Sequence, residues 1–222
     1  MLVVMLLILI AVLVSLNGFR DQSFFERYAF FVGGILRSRQ YERFLVSTFL
    51  HVDYIHLFFN IFSFYSFAIE LVNFTGQIFL LLLFFGSGIG GDFLALLIHR
   101  KHAGYRAVGA SGAVSGVIFS SVLLLPGGSI LIFPFPFGIP PWLFAILFVL
   151  FSVYGIGRQS GNIGHEAHLG GALCGILITA LVYPSALLDH WFLTIVLVLP
   201  VALFLFVYLK NPQSLHLGKW KE

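Results

Sequence analysis

The chain has 222 residues, 59% hydrophobic and only 9% charged, with a net charge of +3 and a mean hydropathy of +1.02. Soluble domains carry about 25% charged residues, so this composition excludes a water-facing globule and puts the chain in lipid. A bilayer-spanning helix takes about 20 residues, which leaves room for about six or seven spans and no sizeable soluble domain. The twelve basic residues are read as loop anchors on a membrane protein, not as a nucleic-acid patch, and Cys174, the one cysteine, forbids an internal disulfide.

The first apolar run, Leu2 to Leu16, has the length of a signal-peptide core, yet no Lys or Arg precedes it and no clean small-x-small site follows. It is expected to be the first transmembrane helix, ended by a turn at Asn17-Gly18-Phe19-Arg20. Residues 17–43 mix charges (Arg20, Asp21, Glu26, Arg27, Arg37, Arg39, Glu42, Arg43) with Phe, Tyr and Ile. That mixture predicts a structured segment lying in the interface. The second span is predicted from about Tyr54 to Phe74, with a tight turn at Asn73-Phe74-Thr75-Gly76. The third runs from about Gln77 to Ile98 and carries Gly86, Gly88, Gly90 and Gly91, read as helix-packing residues. A basic loop follows. The fourth span is expected from about Ala107 to Leu125, and the proline-rich stretch up to Pro141 as an irregular apolar loop. The fifth covers about Trp142 to Ile156, the sixth about Gly164 to Tyr183, and the seventh about Trp191 to Leu209 with a kink at Pro200. There is no internal repeat.

Strongly polar groups inside spans are costly and usually functional. The second span is opened by His51 and carries His56 and Asn60, spaced i, i+4 on one helix face. The fourth carries Ser111, and the sixth His168. Helices alternate direction, so the second, fourth and sixth spans begin on the same membrane side. With Ser111 and His168 each about four residues in, both sit roughly 6 Å below that surface, and His56 and Asn60 a little deeper. A hydroxyl, an imidazole and two hydrogen-bond donors at one level have the makings of a nucleophile, a base and an oxyanion site. Each has a plainer reading alone: Gly112-x-x-x-Gly116 is a helix-contact pattern, and a single buried histidine is usually structural. Gly171-x-x-x-Gly175 serves both readings, because a glycine face would bring the sixth helix close to the fourth. His51, His56 and Asn60 lack the carboxylate or thiolate company of a persuasive metal site, so no metal or cofactor is expected.

In these residues the chain resembles the rhomboid family of intramembrane serine proteases, over roughly Gln40 to Tyr183. Gly109-Ala110-Ser111-Gly112 is similar to the family's nucleophile motif. Ala167-His168-Leu169-Gly170-Gly171, continuing to Gly175, is similar to its base motif. The His51, His56, Asn60 spacing matches its second helix, and Arg43 its first-loop arginine. The sequence departs from the family at Glu42, where Trp is common, and at Ser115, where some bacterial members place a Tyr that packs on the histidine.

The resemblance implies an all-α polytopic membrane protein, a rhomboid-like six-helix core with the short fourth helix near its centre, plus a seventh C-terminal transmembrane helix. Residues 1–39 would hold the first span and the start of the interfacial loop, 40–183 the core, and 184–222 the seventh span and a basic tail. The implied activity is hydrolysis of transmembrane segments of single-span membrane proteins. Ser111 and His168 would form the dyad, with His56 and Asn60 at the oxyanion. Glu166 points away from His168 on its helix, so no third member is expected. The alternatives are a catalytically silent relative that binds membrane clients, and a small transporter. A transporter would need polar groups across the whole depth, which beyond Glu70 and Asp92 is apolar.

Orientation draws two opposed readings. All twelve Lys and Arg fall on the side of the 17–43, 99–106 and 157–163 loops and the tail, which the positive-inside rule would put in the cytoplasm. The family resemblance implies that the active-site mouth opens on the extracytoplasmic side of a cell membrane. The resemblance is preferred, because the first-loop charges sit in an interfacial element with Asp21, Glu26 and Glu42 interspersed.

Overall fold

The computed structural model describes residues 1–131, 138–158 and 164–210. Eleven α-helices and two minimal β-ribbons lie within them. Helix α1 spans Leu2–Arg20. The turn expected at Asn17 does not form: Gly18 stays inside the helix, where a Cβ would stand 2.9 Å from Leu50. The helix ends instead at Asp21, which adopts extended backbone and caps the next helix, α2 (Gln22–Tyr28), by accepting the Ser23 and Phe24 N–H groups. Those bonds hold the Asp21 carboxyl below its ordinary pKa, the Ser23 side chain first among them.

The first loop is structured, as its mixed composition predicts. Strand β1 (Phe30–Phe31), helix α3 (Val32–Ser38), helix α4 (Arg43–Val46) and a 3-10 turn at Ser47–Phe49 follow α2. Helix α5 covers Tyr54–Thr75 and is broken by Gly76, whose φ of +87° suits glycine. Helix α6 covers Gln77–His99. Strand β2 (Arg106–Ala107) then pairs antiparallel with β1.

That pairing corrects the expected start of the fourth span. Ala107 belongs to the ribbon, and helix α7 begins only at Ser111 and ends at Leu124. Its 14 residues measure about 21 Å, against a hydrocarbon core of about 30 Å. A helix this short is recessed from at least one surface. It is buried on every side from Gly112 to Leu123, packed among α5, α6 and the later helices, the behaviour of a helix apolar all round.

After α7, β3 (Ile130–Leu131) pairs with β4 (Gly138–Ile139), so part of the proline-rich stretch is a ribbon; residues 132–137 lie outside the described ones. Helix α8 covers Pro141–Arg158 and α9 His165–Val182; of the loop expected at 157–163, Gly157 and Arg158 belong to the helix and 159–163 lie outside the described residues. The stretch after Pro184, read as a loop, forms a short helix α10 (Pro184–Asp189), with proline at the first turn, where its missing N–H costs nothing. Helix α11 covers Trp191–Lys210 and contains Pro200. Five helices (α1, α5, α6, α9, α11) are long and apolar enough to cross a membrane, and α7 and α8 supply shorter apolar segments.

The centre is a three-helix contact of α6, α7 and α9 made by glycine. A Cβ on Gly175 would stand 2.5 Å from the Cα of Gly116, and one on Gly171 would run into the backbone of Gly112. On the α6 side, a Cβ on Gly91 would stand 2.5 Å from the carbonyl oxygen of Ala167, and Cys174 covers Gly90. The two small-x-x-x-small patterns therefore face each other, which removes the side chains that would hold the backbones apart.

Candidate active site

The four polar residues singled out by sequence lie at one end of the bundle. Ser111 is the first residue of α7, not the fourth residue of its span as expected. His168 is the fourth of α9, and His56 and Asn60 are the third and seventh of α5. Only Asn60 is thus deeper along its helix than His168. His51 precedes α5, in the link from the 3-10 turn.

The residues next to Ser111 and His168 make a close helix contact. A Cβ on Gly112 would stand 3.2 Å from the carbonyl oxygen of Ala167, so Ser111 and His168 flank a single backbone contact between α7 and α9. Gly109 ties in His56. Its φ of +127° is a conformation glycine tolerates best, and a Cβ there would lie 2.8 Å from the His56 ring and 3.8 Å from Ser111 Oγ. The His56 ring and the Ser111 hydroxyl therefore share the space that a side chain at 109 would fill. Because α7 starts at Ser111, the backbone N–H of that residue is a first-turn donor with no intrahelical acceptor, at the positive end of the helix dipole. Ser115 Oγ donates back to the Ser111 carbonyl at 2.6 Å.

His168 is buried, and its Nδ1 has no hydrogen-bond partner among the described residues. Its ring is held by packing. Phe148 of α8 lies over it at 5.1 Å between centroids and 30° between planes, and His165 meets it edge-on at 5.8 Å. Phe148 thus occupies the role that sequence reading found vacant at Ser115. Glu166 turns the other way, as its helix position implies: its carboxylate meets His99 Nε2 at 3.0 Å, and Tyr105 Oη donates to it at 3.5 Å. Burial, then the Glu166 charge, hold the Tyr105 phenol well above its ordinary pKa, so it stays a donor.

Asn60 is buried, and its Nδ2 donates to the His56 carbonyl at 2.9 Å. One N–H of that amide remains for another acceptor. Asn60 lines a cavity of about 10 Å³ together with His51 and Ala110, just behind the Ser111 motif.

Sequence reading missed what His51 does. The Ala110 N–H donates to His51 Nε2 at 3.4 Å, which leaves the ring proton on Nδ1. Nδ1–H then donates to Ser15 Oγ at 2.9 Å, and the Ser15 hydroxyl donates to the Phe49 carbonyl at 2.9 Å. This chain ties α1 to the residue before the nucleophile candidate, and every member is buried. The signal was present: Ser15 is the only polar side chain between Leu2 and Leu16. A second support runs from α6, where Asp92 accepts from Ser47 Oγ at 3.0 Å while the Ser47 carbonyl accepts the Gly109 N–H at 3.1 Å.

Arg43 is buried beneath the first loop and donates to Gln40 Oε1 and to the carbonyls of Glu26 and Ala29. Glu42, the departure noted beside it, pairs with Arg27 at 3.1 Å on the surface. No group of three or more metal-binding side chains occurs among the described residues.

The Rhomboid domain family matches residues 38–185. The chain is 31% identical over 134 residues to Rhomboid protein 1, mitochondrial, of Saccharomyces cerevisiae, covering 59% of this chain and 39% of that protein. It is 26% identical over 151 residues to RHOMBOID-like protein 12, mitochondrial, of Arabidopsis thaliana, covering 61% and 45%. It is 28% identical over 138 residues to the Presenilin-associated rhomboid-like protein, mitochondrial, of Homo sapiens, covering 60% and 35%. The matched stretch thus spans less than half the length of each of these relatives.

Proposed function

The chain belongs to the rhomboid family, and from that premise we propose that it is an intramembrane serine endopeptidase working through a Ser111–His168 dyad. The observation that carries this reading is the backbone contact between Gly112 and Ala167, which sets a hydroxyl and an imidazole on either side of one close helix crossing. In the proposed reaction Ser111 Oγ attacks the scissile carbonyl, and His168 accepts its proton and returns it to the leaving amine. The charge that develops on the carbonyl oxygen is met by His56, by the free N–H of Asn60 and by the Ser111 backbone N–H. The absence of a carboxylate at His168 Nδ1 among the described residues supports a dyad, with ring packing on Phe148 in the orienting role.

Substrates are single-span membrane proteins. A helical backbone is shielded from attack, so residues that weaken the helix near the cut favour cleavage. The proposed location is a cell membrane, with the mouth on the extracytoplasmic side. The relatives named above are mitochondrial proteins, so likeness alone selects no membrane. The reading rests on the partial engagement of the basic charge on that side: Arg43 is buried, Arg27 pairs with Glu42, and Arg106 of the α6–α7 connection pairs with Glu26.

The test is cleavage of a single-span substrate by purified protein, wild type against Ser111→Ala and His168→Ala. Both variants are expected to be inactive and folded. A serine-directed fluorophosphonate is expected to label wild type at Ser111 and to label His168→Ala far more slowly. Substantial cleavage by either variant would rule out the dyad.

A further inference from the structure

On the same end of the bundle, but apart from Ser111, the first loop and the α6–α7 connection enclose an open cavity of about 460 Å³. Three guanidinium groups line it, Arg37, Arg43 and Arg106, together with Ser38 and Gln40, and no carboxylate among the described residues does. Arg43 and Arg106 both lie over the Phe31 ring, at 5.6 and 4.1 Å from its centroid. Gly34 keeps the floor open: a Cβ there would stand 2.5 Å from Gln40 Oε1 and 3.1 Å from Arg43 Nε.

The charges in this cavity are under-compensated. Arg43 is buried, yet it gives its hydrogen bonds to neutral oxygens and makes no ion pair among the described residues. Burial, followed by the charges of Arg106 and Arg27, pulls its pKa below the ordinary arginine value, against a smaller opposing pull from Glu42 and Glu26. A guanidinium does not escape by losing its proton, so it gains most from a nearby anion. Arg37 is exposed and has no ion pair among the described residues. Arg106 pairs with Glu26 at 2.7 Å, but at a half-exposed site where such a pair is weak. Leu36, Tyr41 and Leu45 stand exposed in the same stretch of chain.

We propose that this cavity binds a phosphate-bearing anion, through the planar forks of Arg37 and Arg106 with Arg43 beneath. Two sources share that chemistry: the headgroup of an acidic lipid in the leaflet on the Ser111 side, and free phosphate. The exposed apolar side chains Leu36, Tyr41 and Leu45 on the same loop favour the lipid. The assignment is independent of the serine reading, and its test reads binding, not proteolysis.

The experiment follows the melting temperature of the purified full chain in a neutral detergent. The titrants are dihexanoyl phosphatidylglycerol, dihexanoyl phosphatidylcholine and inorganic phosphate. A ligand that binds only the folded state raises the melting temperature with its concentration. Phosphatidylglycerol is expected to give a saturable rise that weakens with added salt, and phosphatidylcholine none. Arg37→Gln and Arg106→Gln, at exposed positions, are each expected to weaken the apparent affinity about tenfold, the loss of one charge-assisted hydrogen bond. A matching, arginine-dependent response to inorganic phosphate identifies free anion as the ligand, and its absence identifies the lipid headgroup. The proposal is overturned if no anion gives a saturable response. It also fails if phosphatidylcholine acts as strongly, or if both variants bind as wild type does.

Discussion

Gly175→Ala isolates the glycine crossing from the chemistry it serves. Gly175 lies seven residues beyond His168, about 10 Å along α9, and touches neither Ser111 nor the oxyanion groups. An alanine Cβ would stand 2.5 Å from both the Cα and the carbonyl oxygen of Gly116, and 2.9 Å from its carbonyl carbon. Carbon atoms in good contact sit about 3.5–4.0 Å apart, so the two backbones must part by about 1 Å. No rotamer change relieves this, because the opposing atoms are main chain. Overpacking of this kind costs about 1–3 kcal/mol of stability. Parting α7 from α9 also moves His168 away from Ser111, and a 1 Å misplacement of catalytic groups costs about 10²-fold in rate. The assay pairs the melting temperature with the rates of cleavage and of fluorophosphonate labelling at Ser111. Gly127→Ala is the control, since a Cβ there meets nothing within 4 Å, and it should match wild type. A Gly175→Ala protein with wild-type melting and wild-type rates would show that the glycine crossing does not set the spacing of the two residues. A lowered melting temperature with unchanged rates would show that the spacing matters for stability alone.

Other outcomes follow from the same geometry. His56→Ala and Asn60→Ala should each lower kcat by about 10²–10³ with little change in KM, because they act on charge that exists only in the transition state; raised KM with normal kcat would assign them to substrate docking. His51→Ala removes the middle link of the Ser15–Ala110 chain, and with it both bonds, and should cost about 1–3 kcal/mol in a denaturation assay; Ser15→Ala should reproduce part of that loss, and no loss in either would mean the chain contributes nothing. Chelators should leave cleavage unchanged, and inhibition reversed by added metal would revive a metal site. In a Cys174→Ser background, cysteines at Ser38 and His102 should react with an impermeant maleimide on intact cells and one at Thr75 should not; the reverse pattern would put the Ser111 mouth in the cytoplasm.

The all-helical membrane architecture, the order of the apolar helices and the shared end of the polar residues were legible in the sequence, because each follows from local hydropathy and from helix direction. An apolar run in lipid has only the helix available to satisfy its backbone, so composition alone dictates most of this fold. The start of α7 was not legible. Ala107 and Val108 are apolar enough to read as span, and only the pairing of Arg106–Ala107 with Phe30–Phe31 draws them out of the helix and makes Ser111 its first residue. The cap at Asp21 likewise overrode the turn expected at Gly18, because Gly18 was needed for the approach of Leu50. The orientation of His168 by Phe148, the anchoring of Ala110 through His51 to Ser15, and the gathering of Arg37 and Arg43 with Arg106 around one hollow each join different elements, up to 95 positions apart between Ser15 and Ala110. Local sequence sets which segments are membrane helices and at which end of each its polar residues lie, since hydropathy and helix direction act along the chain. Which of them meet was decided by tertiary structure, because close packing depends on atoms brought together from separate elements, and no local pattern encodes that.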